Sequence, residues 1–290
     1  MTTQQFISKN TAFLAGCGIE TARLDCLIIL EDGLNTNRTH LLAYPDQKIP
    51  EKTLNVITKN IQRRSLHVPL AYIRGHVEFY GLTFNVDKHV LVPRPESESM
   101  INILQRHQLP HGMVIIDIGT GSGALAITAK HLLPKAQVIA TDIDPACLAI
   151  AKQNAELHQA DVAFIEGSLA ETLPADIYDR PLVFLCNLPY IPTSYPINSD
   201  ATHEPQLALF AGSDGLDLYR KLFAILSHKP VNQCSIITES LQFQHSALSA
   251  LAKTAGFTLA DTEGLAQCFM KTVRRTSYTT APSLQAQSQG

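Results

Sequence analysis

The sequence predicts an α/β fold: a parallel sheet covered by helices on both faces, preceded by a small helical domain and a β-hairpin connector. Three observations predict it. Apolar residues recur at spacings of three and four through the first 75 positions, alternate with period two after residue 76, and form continuous runs separated by helical segments from residue 111 onward. Such continuous apolar strands are typical of parallel sheets buried on both faces.

Length and charge limit the possible functions. With 290 residues, 45% of them apolar, the chain can bury one large domain and one small one. The net charge of −3 and the isoelectric point near 6.4 argue against the broad basic surface that sequence-independent nucleic-acid binding needs. A local basic patch around Arg63 and Arg64 remains open.

Cysteine and histidine spacing argues against metal sites and disulfides. The six cysteines include no Cys-x-x-Cys pair, and the eleven histidines include no His-Glu-x-x-His, so free thiols and no metal are expected. The chain does not open on a basic stretch followed by an apolar core, and no apolar run approaches the roughly 18 residues of a membrane helix. A cytoplasmic location is therefore expected.

Residues 1–75 are expected to form the helical domain, with helical periodicity clearest over 21–31 and 50–65. The alternative is that these helices pack onto the core of the larger domain. Residues 76–94 are predicted to form a β-hairpin linker with short strands at 76–80, 82–86 and 90–92. A helix should then open at Arg94-Pro95 and run to about residue 107, since proline lacks only an N–H that the first helical turn leaves unused.

Residues 95–275 are predicted to form the sheet domain. The predicted strands are 113–118, 137–142, 162–165, 182–186 and 233–239, and the predicted helices are 123–133, 145–158, 215–228 and 242–255. A final hairpin at one edge pairs 257–261 with 266–273. Residues 276–290 are rich in Ser, Thr, Gln and Ala without periodicity, and we expect them to be disordered.

A glycine-rich turn follows the first strand of this domain. Gly119, Gly121 and Gly123 let the chain turn tightly and bring its backbone against a nucleoside cofactor. The loop alone does not separate S-adenosylmethionine from NAD, and a purely structural turn is also open. Asp142 ends the next strand, where a carboxylate can accept hydrogen bonds from ribose hydroxyls, whereas Asp144 is expected to cap the following helix.

The run Asn187-Leu188-Pro189-Tyr190 follows the fourth strand, at the edge where open α/β sheets bind ligands. An amide nitrogen is a poor nucleophile, because its lone pair is delocalised. If Asn187 Oδ1 and the Leu188 carbonyl accept its two N–H groups, they hold the nitrogen in place and favour the positive charge that grows on it during methyl transfer. Pro189 stiffens the loop, and Tyr190 can stack on the planar group.

Together these runs resemble the HemK-type peptide chain release factor glutamine N5-methyltransferases. The likeness extends from about Arg63 to Gln244, and Arg23-Leu-Asp25 upstream is similar to the family's helical substrate-docking domain. The motifs that carry it are Pro69-Leu-Ala-Tyr-Ile-Arg-Gly75, Glu78-Phe-Tyr-Gly-Leu82, Val92-Pro-Arg-Pro-Glu-Ser-Glu98, Asp117 to Gly123, Asn187 to Tyr190, Glu204-Pro-Gln-Leu-Ala-Leu209 and Gly212-Ser-Asp-Gly-Leu216.

The resemblance implies a class I, Rossmann-like fold with a mostly parallel seven-stranded sheet. It implies methyl transfer from S-adenosyl-L-methionine to the Gly-Gly-Gln glutamine of release factors, a protein substrate. No membrane partner is expected, and the acidic isoelectric point and the absence of a basic, aromatic-laced segment argue against a nucleic-acid partner. The catalytic and substrate-binding residues it implies are Asn187, Leu188, Pro189 and Tyr190. The cofactor-binding residues it implies are Gly119, Thr120, Gly121, Ser122, Gly123, Asp142, Ser168 and Asn187. Arg94 and Glu98 either shape the pocket entrance or are structural.

Three departures indicate a divergent member. Leu188 replaces the first proline of the family's Asn-Pro-Pro-Tyr, and Asn-Leu-Pro-Tyr is typical of dimethyladenosine methyltransferases acting on ribosomal RNA. Ser168 stands where an aspartate commonly contacts adenine, a role that Glu166 could take instead. The segment 264–267 lacks the family's usual Gly-Asn and arginine.

Two other functions stay open from the residues alone. The residues Asn187 to Tyr190, which we call the clamp, would hold the planar NH2 group of a nucleobase in the same way. An adenine or cytosine amino methyltransferase acting on RNA or DNA would therefore need the same clamp. A binding protein could also keep this fold after losing catalysis.

Overall fold

The computed structural model describes residues 1–107, 112–231 and 233–272. The tail predicted to be disordered, 276–290, and the end of the last predicted strand at 273 lie outside the described residues.

The amino-terminal region is helical, as predicted. Its helices are α1 (Thr3–Gly16), α2 (Ala22–Leu34), α3 (Arg38–Ala43), α4 (Glu51–Ser65) and α5 (Leu70–Arg74). Thr2 and Gln5 form a capping box that satisfies N–H groups at the start of α1. Apolar side chains of α1, α2 and α4, among them Leu14, Ile29 and Ile57, pack into a core of their own.

A two-stranded antiparallel hairpin follows, with β1 (His76–Phe79) and β2 (Leu82–Asn85). Tyr80 and Gly81 make the turn with positive φ angles of 51° and 74°. The prediction of a third strand at 90–92 is wrong. Side chains hold that segment instead of a β-ladder: the Tyr72 hydroxyl donates to the Val90 carbonyl, and the Val92 N–H donates to Glu204.

The helix predicted from Pro95 begins as one 3₁₀ turn, Pro95–Ser97, and continues as α6 (Glu98–Arg106). The hairpin is tied to the sheet domain by Asn154, whose side chain is fully buried. Its amide exchanges hydrogen bonds with the Asn85 backbone and donates to the Ser122 carbonyl in the glycine loop. One side chain therefore joins the hairpin to the loop.

The described residues contain a seven-stranded sheet in the order β5-β4-β3-β6-β7-β9-β8. Its strands are β3 (Val114–Ile118), β4 (Gln137–Asp142), β5 (Ala163–Glu166), β6 (Leu182–Cys186), β7 (Gln233–Glu239), β8 (Thr258–Glu263) and β9 (Ala266–Thr272). The first five are parallel, and β9 runs antiparallel between β7 and β8. The predicted α/β fold with a hairpin at one edge is confirmed.

Helices cover both faces of this sheet. They are α7 (Ala124–Leu132), α8 (Pro145–Leu157), α9 (Asp217–Ser227) and α10 (His245–Thr254), with α6 alongside. Two apolar cores result, one with α9 and α10 and the other with α6 and α7. Strands β3 and β6 are buried on both faces, which explains their uninterrupted apolar sequence.

An ion-pair network around the buried Arg64 side chain joins the helical region to the sheet domain. Arg64, only 5% exposed, donates from Nε to Asp25 at 2.6 Å and from its terminal nitrogens to Asp200 at 2.8 and 3.0 Å. His67 also contacts Asp200. Arg64 is therefore no part of a basic surface patch.

The six cysteines are free thiols, five of them buried and Cys17 partly so. Among the described residues, no helix combines the length and apolar character needed to cross a bilayer.

Candidate functional site

Two cavities meet at Asn187, beyond the carboxyl ends of the central strands. The first, about 360 Å³, is lined by the glycine turn and by Asp142, and we name it the glycine-loop cavity. The second, about 540 Å³, is lined by Tyr190 and Glu239, and we name it the Tyr190 cavity. Asn187 lines both. A group held by Asn187 could therefore be reached from either cavity.

The glycine turn lies between β3 and α7, as its sequence predicts. Gly119, Gly121 and Gly123 have φ angles of 73°, 54° and 83°, in the left-handed region where side chains are strained. The N–H groups of Gly119 and Thr120 both donate to the Thr141 carbonyl, at 2.8 and 2.9 Å. The turn is thereby fixed against the end of β4.

A buried carboxylate on β3, that of Asp117, holds the glycine turn by hydrogen bonds. Asp117 accepts hydrogen bonds through Oδ2 from the Thr120 hydroxyl at 2.6 Å and from the Ala126 N–H at 3.2 Å. Burial raises the pKa of Asp117 to about 7, although these two donors lower it. Asp117 therefore serves the shape of the loop.

Asp142 ends β4 with its carboxylate on the glycine-loop cavity. It accepts from the Gly121 N–H at 2.9 Å and from the Asp144 N–H at 3.0 Å, which fixes its orientation. Burial raises the pKa of Asp142, and these backbone donors lower it. Asp144 caps α8 by accepting from the Ala146 N–H at 2.8 Å, as predicted.

Most of the residues expected to bind a cofactor line the glycine-loop cavity: Gly119, Thr120, Gly121, Ser122, Asp142, Ser168 and Asn187. Gly123 is not in that lining. A Cβ at Gly123 would come within 2.9 Å of Ile127 and 3.2 Å of Ala151, so this glycine allows close packing of α7 on α8. Glu166 is exposed and also lies outside the lining.

The Asn187 amide is held by a residue on the turn before α6. Its Nδ2 donates to the Ser97 hydroxyl at 2.9 Å, and Ser97 is 3% exposed. The donor end of the amide is thus directed at Ser97. The other end, Oδ1, is left as an acceptor.

The Leu188 side chain is buried, whereas its carbonyl makes no hydrogen bond to any described residue. The side chain belongs to the core formed with α9 and α10. It packs over the glycine turn, 3.4 Å from where a Cβ on Gly119 would lie. Pro189 lines the same cavity as Leu188. The position therefore offers a rigid backbone acceptor, with leucine filling the space beneath it.

Tyr190 is held at both its hydroxyl and its carbonyl. The hydroxyl donates to Glu239 Oε1 at 2.9 Å, and the carbonyl accepts from Gln244 Nε2 at 2.7 Å. Burial, and then the nearby Glu239 charge, raise the pKa of Tyr190. Gly215 passes so close that a Cβ there would lie 2.0 Å from the Tyr190 carbonyl oxygen. The loop after β6 is therefore fixed.

Ser97, Glu239 and Tyr219 were not identified from the sequence. Tyr219 is fully buried, and its hydroxyl lies 2.8 Å from the Cys186 carbonyl and 2.6 Å from the Glu239 carbonyl, so it joins the ends of β6 and β7. The sequence did carry a signal for Glu239. This residue ends β7, the strand that follows β6 in the sheet, and neighbouring parallel strands end at the same edge as Asn187. Ser97 ends no strand, and the signal for it was its place within the Val92-Pro-Arg-Pro-Glu-Ser-Glu98 motif.

Arg94 and Glu98 have different surroundings. Arg94 lines the Tyr190 cavity and forms an ion pair with the buried carboxylate of Glu204, which also accepts from the Val92 N–H at 3.0 Å. Glu98 instead accepts from the Tyr80 N–H at 2.8 Å and stabilises the hairpin turn. Arg94 borders the cavity, and Glu98 is structural.

Among the described residues, no group of three or more His, Cys, Asp or Glu side chains could hold a metal ion.

Comparisons with known proteins match both parts of the chain. The model of the PrmC N-terminal domain family matches residues 5–75, and that of the ribosomal protein L11 methyltransferase family matches residues 96–187. A release factor glutamine methyltransferase from Deinococcus radiodurans is 35% identical over 89% of this chain and 92% of its own length. Others, from Moorella thermoacetica and Geobacter sulfurreducens, are 37% and 36% identical over 77% and 76% of this chain and 79% and 77% of their own.

Solved structures support the fold. The hMettl16 catalytic domain, solved in complex with hairpin 1 of the MAT2A 3′UTR, superposes with a TM-score of 0.53 over 94% of this chain and 95% of that one. The identity is 14%, so the likeness extends to architecture and no further.

Proposed function

This chain belongs to the release factor glutamine methyltransferases, and from that premise we propose how its residues direct a methyl group from S-adenosylmethionine to the side-chain amide of a release-factor glutamine. The acceptor is the glutamine of the Gly-Gly-Gln motif. The glycine-loop cavity holds the cofactor, and the Tyr190 cavity receives the glutamine. The observation that carries this proposal is Asn187, which lines both cavities.

The residues of the glycine-loop cavity fit a nucleoside cofactor. The turn exposes backbone without side chains at Gly119 and Gly121, and Asp142 supplies a fixed carboxylate for the ribose hydroxyls. Ser168 also lines the cavity and would offer adenine a hydroxyl in place of a carboxylate. S-adenosylmethionine supplies an electrophilic methyl group when it is bound.

The clamp holds the substrate amide by its two N–H groups. Asn187 Oδ1 accepts one, because its Nδ2 is directed at Ser97, and the Leu188 carbonyl accepts the other. Leucine supplies this carbonyl as well as proline would, so the departure at 188 leaves the clamp chemistry unchanged. Pro189 limits the movement of the loop, and the Tyr190 ring bounds the planar group.

The clamp lowers the barrier by orientation and charge. Two fixed acceptors hold the nitrogen with its face toward the glycine-loop cavity, which removes orientational freedom before reaction. The same oxygens favour the positive charge that grows on nitrogen as its lone pair forms the new bond. The methylated nitrogen is acidic, so its proton can leave to water without a strong base.

We further propose that residues 1–75 form a helical docking domain, 76–94 its linker and 95–275 the methyltransferase domain. The separate core of the helices and the family match over residues 5–75 support this division. We also propose that the protein acts in the cytoplasm, where release factors work, and that nucleic acid is not its substrate.

Labelling and mass spectrometry test this function. The purified protein is incubated with methyl-labelled S-adenosylmethionine and, in parallel, with an unmodified release factor and with unmodified ribosomal RNA or DNA. Label on the Gly-Gly-Gln glutamine is expected. Label on nucleic acid alone would overturn the proposal. Leu188 would then indicate a methyltransferase that acts on nucleic acid. No label despite cofactor binding would indicate another acceptor or a lost activity.

A further inference from the structure

Glu239 is a buried carboxylate that the clamp does not use directly. It ends β7 beside β6, is 1% exposed, and lines the Tyr190 cavity. Its Oε1 accepts from the Tyr190 hydroxyl, but its Oε2 is buried without a hydrogen-bond partner among the described residues. A buried carboxylate oxygen without a partner is costly, so Oε2 is an acceptor available to a neighbouring donor.

The polar side chains that face Glu239 belong to the clamp and to its support. Ser97, Tyr190 and Asn187 all favour the charged form of Glu239, although neither Ser97 nor Asn187 reaches Oε2 with full hydrogen-bond geometry. Burial acts in the opposite direction and raises the pKa of Glu239, and the charge of Glu96 raises it further. The Tyr190 hydroxyl therefore bonds to one carboxylate oxygen, and the Ser97 and Asn187 side chains lie near the carboxylate without bonding to Oε2.

The orientation of an asparagine amide depends on its neighbours, because its two ends have the same shape and opposite polarity. A carboxylate near Asn187 attracts the NH2 end and repels the oxygen. The Ser97 hydroxyl already accepts from Asn187 Nδ2, so its own proton is free to turn toward Glu239. The chain Asn187 to Ser97 to Glu239 then has a donor and an acceptor at each step.

We propose that Glu239 is the positioning residue of the clamp, acting through Ser97 to keep Asn187 Oδ1 toward the substrate and through Tyr190 to fix the opposite wall. The inference rests on the proposed function. One carboxylate thereby orients the polar and the aromatic side chains that hold the glutamine. A negative charge behind Asn187 also strengthens Oδ1 as an acceptor, because hydrogen bonds in a chain polarise one another.

A double-mutant cycle tests the proposal. Methylation of an unmodified release factor is measured for the wild type, Glu239→Gln, Ser97→Ala and the double variant, with cofactor affinity and melting temperature for each. Glu239→Gln keeps the shape but removes the charge and one acceptor. The kcat should fall about tenfold to a hundredfold, as expected for a misoriented catalytic group, while cofactor affinity stays the same. The loss in the double variant should not exceed the larger single loss by more than about threefold.

The matched control is Thr238→Val, which alters the adjacent buried position on β7 at nearly constant volume. Its kcat should stay at the wild-type value. Two results would overturn the proposal: wild-type kcat in Glu239→Gln, or single losses that multiply in the double variant. If Glu239→Gln does not fold, Ser97→Ala decides alone, with a tenfold loss expected and a wild-type kcat contradicting it. A wild-type protein that leaves the release factor unmethylated would instead refute the proposed function.

Discussion

The side-chain nitrogen of Asn187 donates to the Ser97 hydroxyl across 2.9 Å. This contact joins the loop after β6 to the turn before α6, ninety residues away in sequence. It directs the NH2 end of the amide to Ser97 and leaves Oδ1 as the acceptor. The clamp therefore depends on a segment outside the four-residue motif.

Leu188→Ala tests whether the leucine side chain takes part in catalysis. Because the proposed acceptor is the backbone carbonyl, kcat at saturating cofactor should stay within about threefold of wild type. Removing a buried leucine side chain should cost about 2–5 kcal/mol of unfolding free energy, measured by urea titration. A hundredfold loss of kcat in a folded variant would show that the side chain itself is needed.

Asp142→Asn tests the ribose site. The substitution keeps the shape but presents an NH2 group toward either the Gly121 or the Asp144 N–H, and both of these are donors. Cofactor affinity measured by calorimetry should fall at least about tenfold, or 1.4 kcal/mol. The control is Glu166→Gln, an exposed carboxyl outside the cavity lining. An equal loss in the control would mean that Glu166 contacts the cofactor.

Asp117 should make stability depend on pH. Its pKa rises from 3.8 to about 7 on folding, so between these values the folded state binds more protons than the unfolded state. The free energy of unfolding should therefore decrease as pH rises from about 4 to about 7, by an amount on the order of a few kcal/mol. Above about pH 7, Asp117 is ionised in both states, and the stabilisation from its protonated form is absent.

The comparison for Asp117 is Asp117→Asn, which cannot ionise. Denaturant titrations at pH 5 and pH 8 should show a smaller difference between the two pH values for the variant than for the wild type. Equal differences in the two proteins would show that Asp117 is ionised across this range in the folded state.

Arg64→Met tests the buried network between the helical region and the sheet domain. The substitution leaves Asp25, itself 3% exposed, as an uncompensated buried charge. The expected loss of unfolding free energy is about 3–5 kcal/mol. Adding Asp25→Asn should restore part of it, because the fully buried charge is then removed, and Asp200 is one-third exposed to solvent. A loss below about 1 kcal/mol for Arg64→Met would show that water replaces the arginine.

The sequence predicted the centre of the sheet well because its central strands are buried on both faces. A strand such as Leu182–Cys186 must then be continuously apolar, and the polar residues that end it mark the ligand edge. The error at 90–92 has a physical cause as well: apolar residues there are buried without pairing in a sheet, and side chains from Tyr72 and Glu204 satisfy the backbone.

The support of the clamp was harder to predict. Asn187 and Tyr190 belong to one short run, whereas Ser97 and Glu239 come from segments about ninety residues upstream and fifty downstream. Which side chains meet across such distances depends on the packing of α6 and β7, and no local pattern records it. Gly123 shows the opposite case: its motif position suggests cofactor contact, but close packing against Ala151 accounts for it.

The most direct test of the clamp is single-turnover methylation of an unmodified release factor by Asn187→Ala. Removing Oδ1 should abolish transfer to the Gly-Gly-Gln glutamine, while calorimetry shows cofactor affinity close to wild type because the glycine turn and Asp142 remain. A folded Asn187→Ala protein that binds cofactor and methylates that glutamine at the wild-type rate would contradict the clamp.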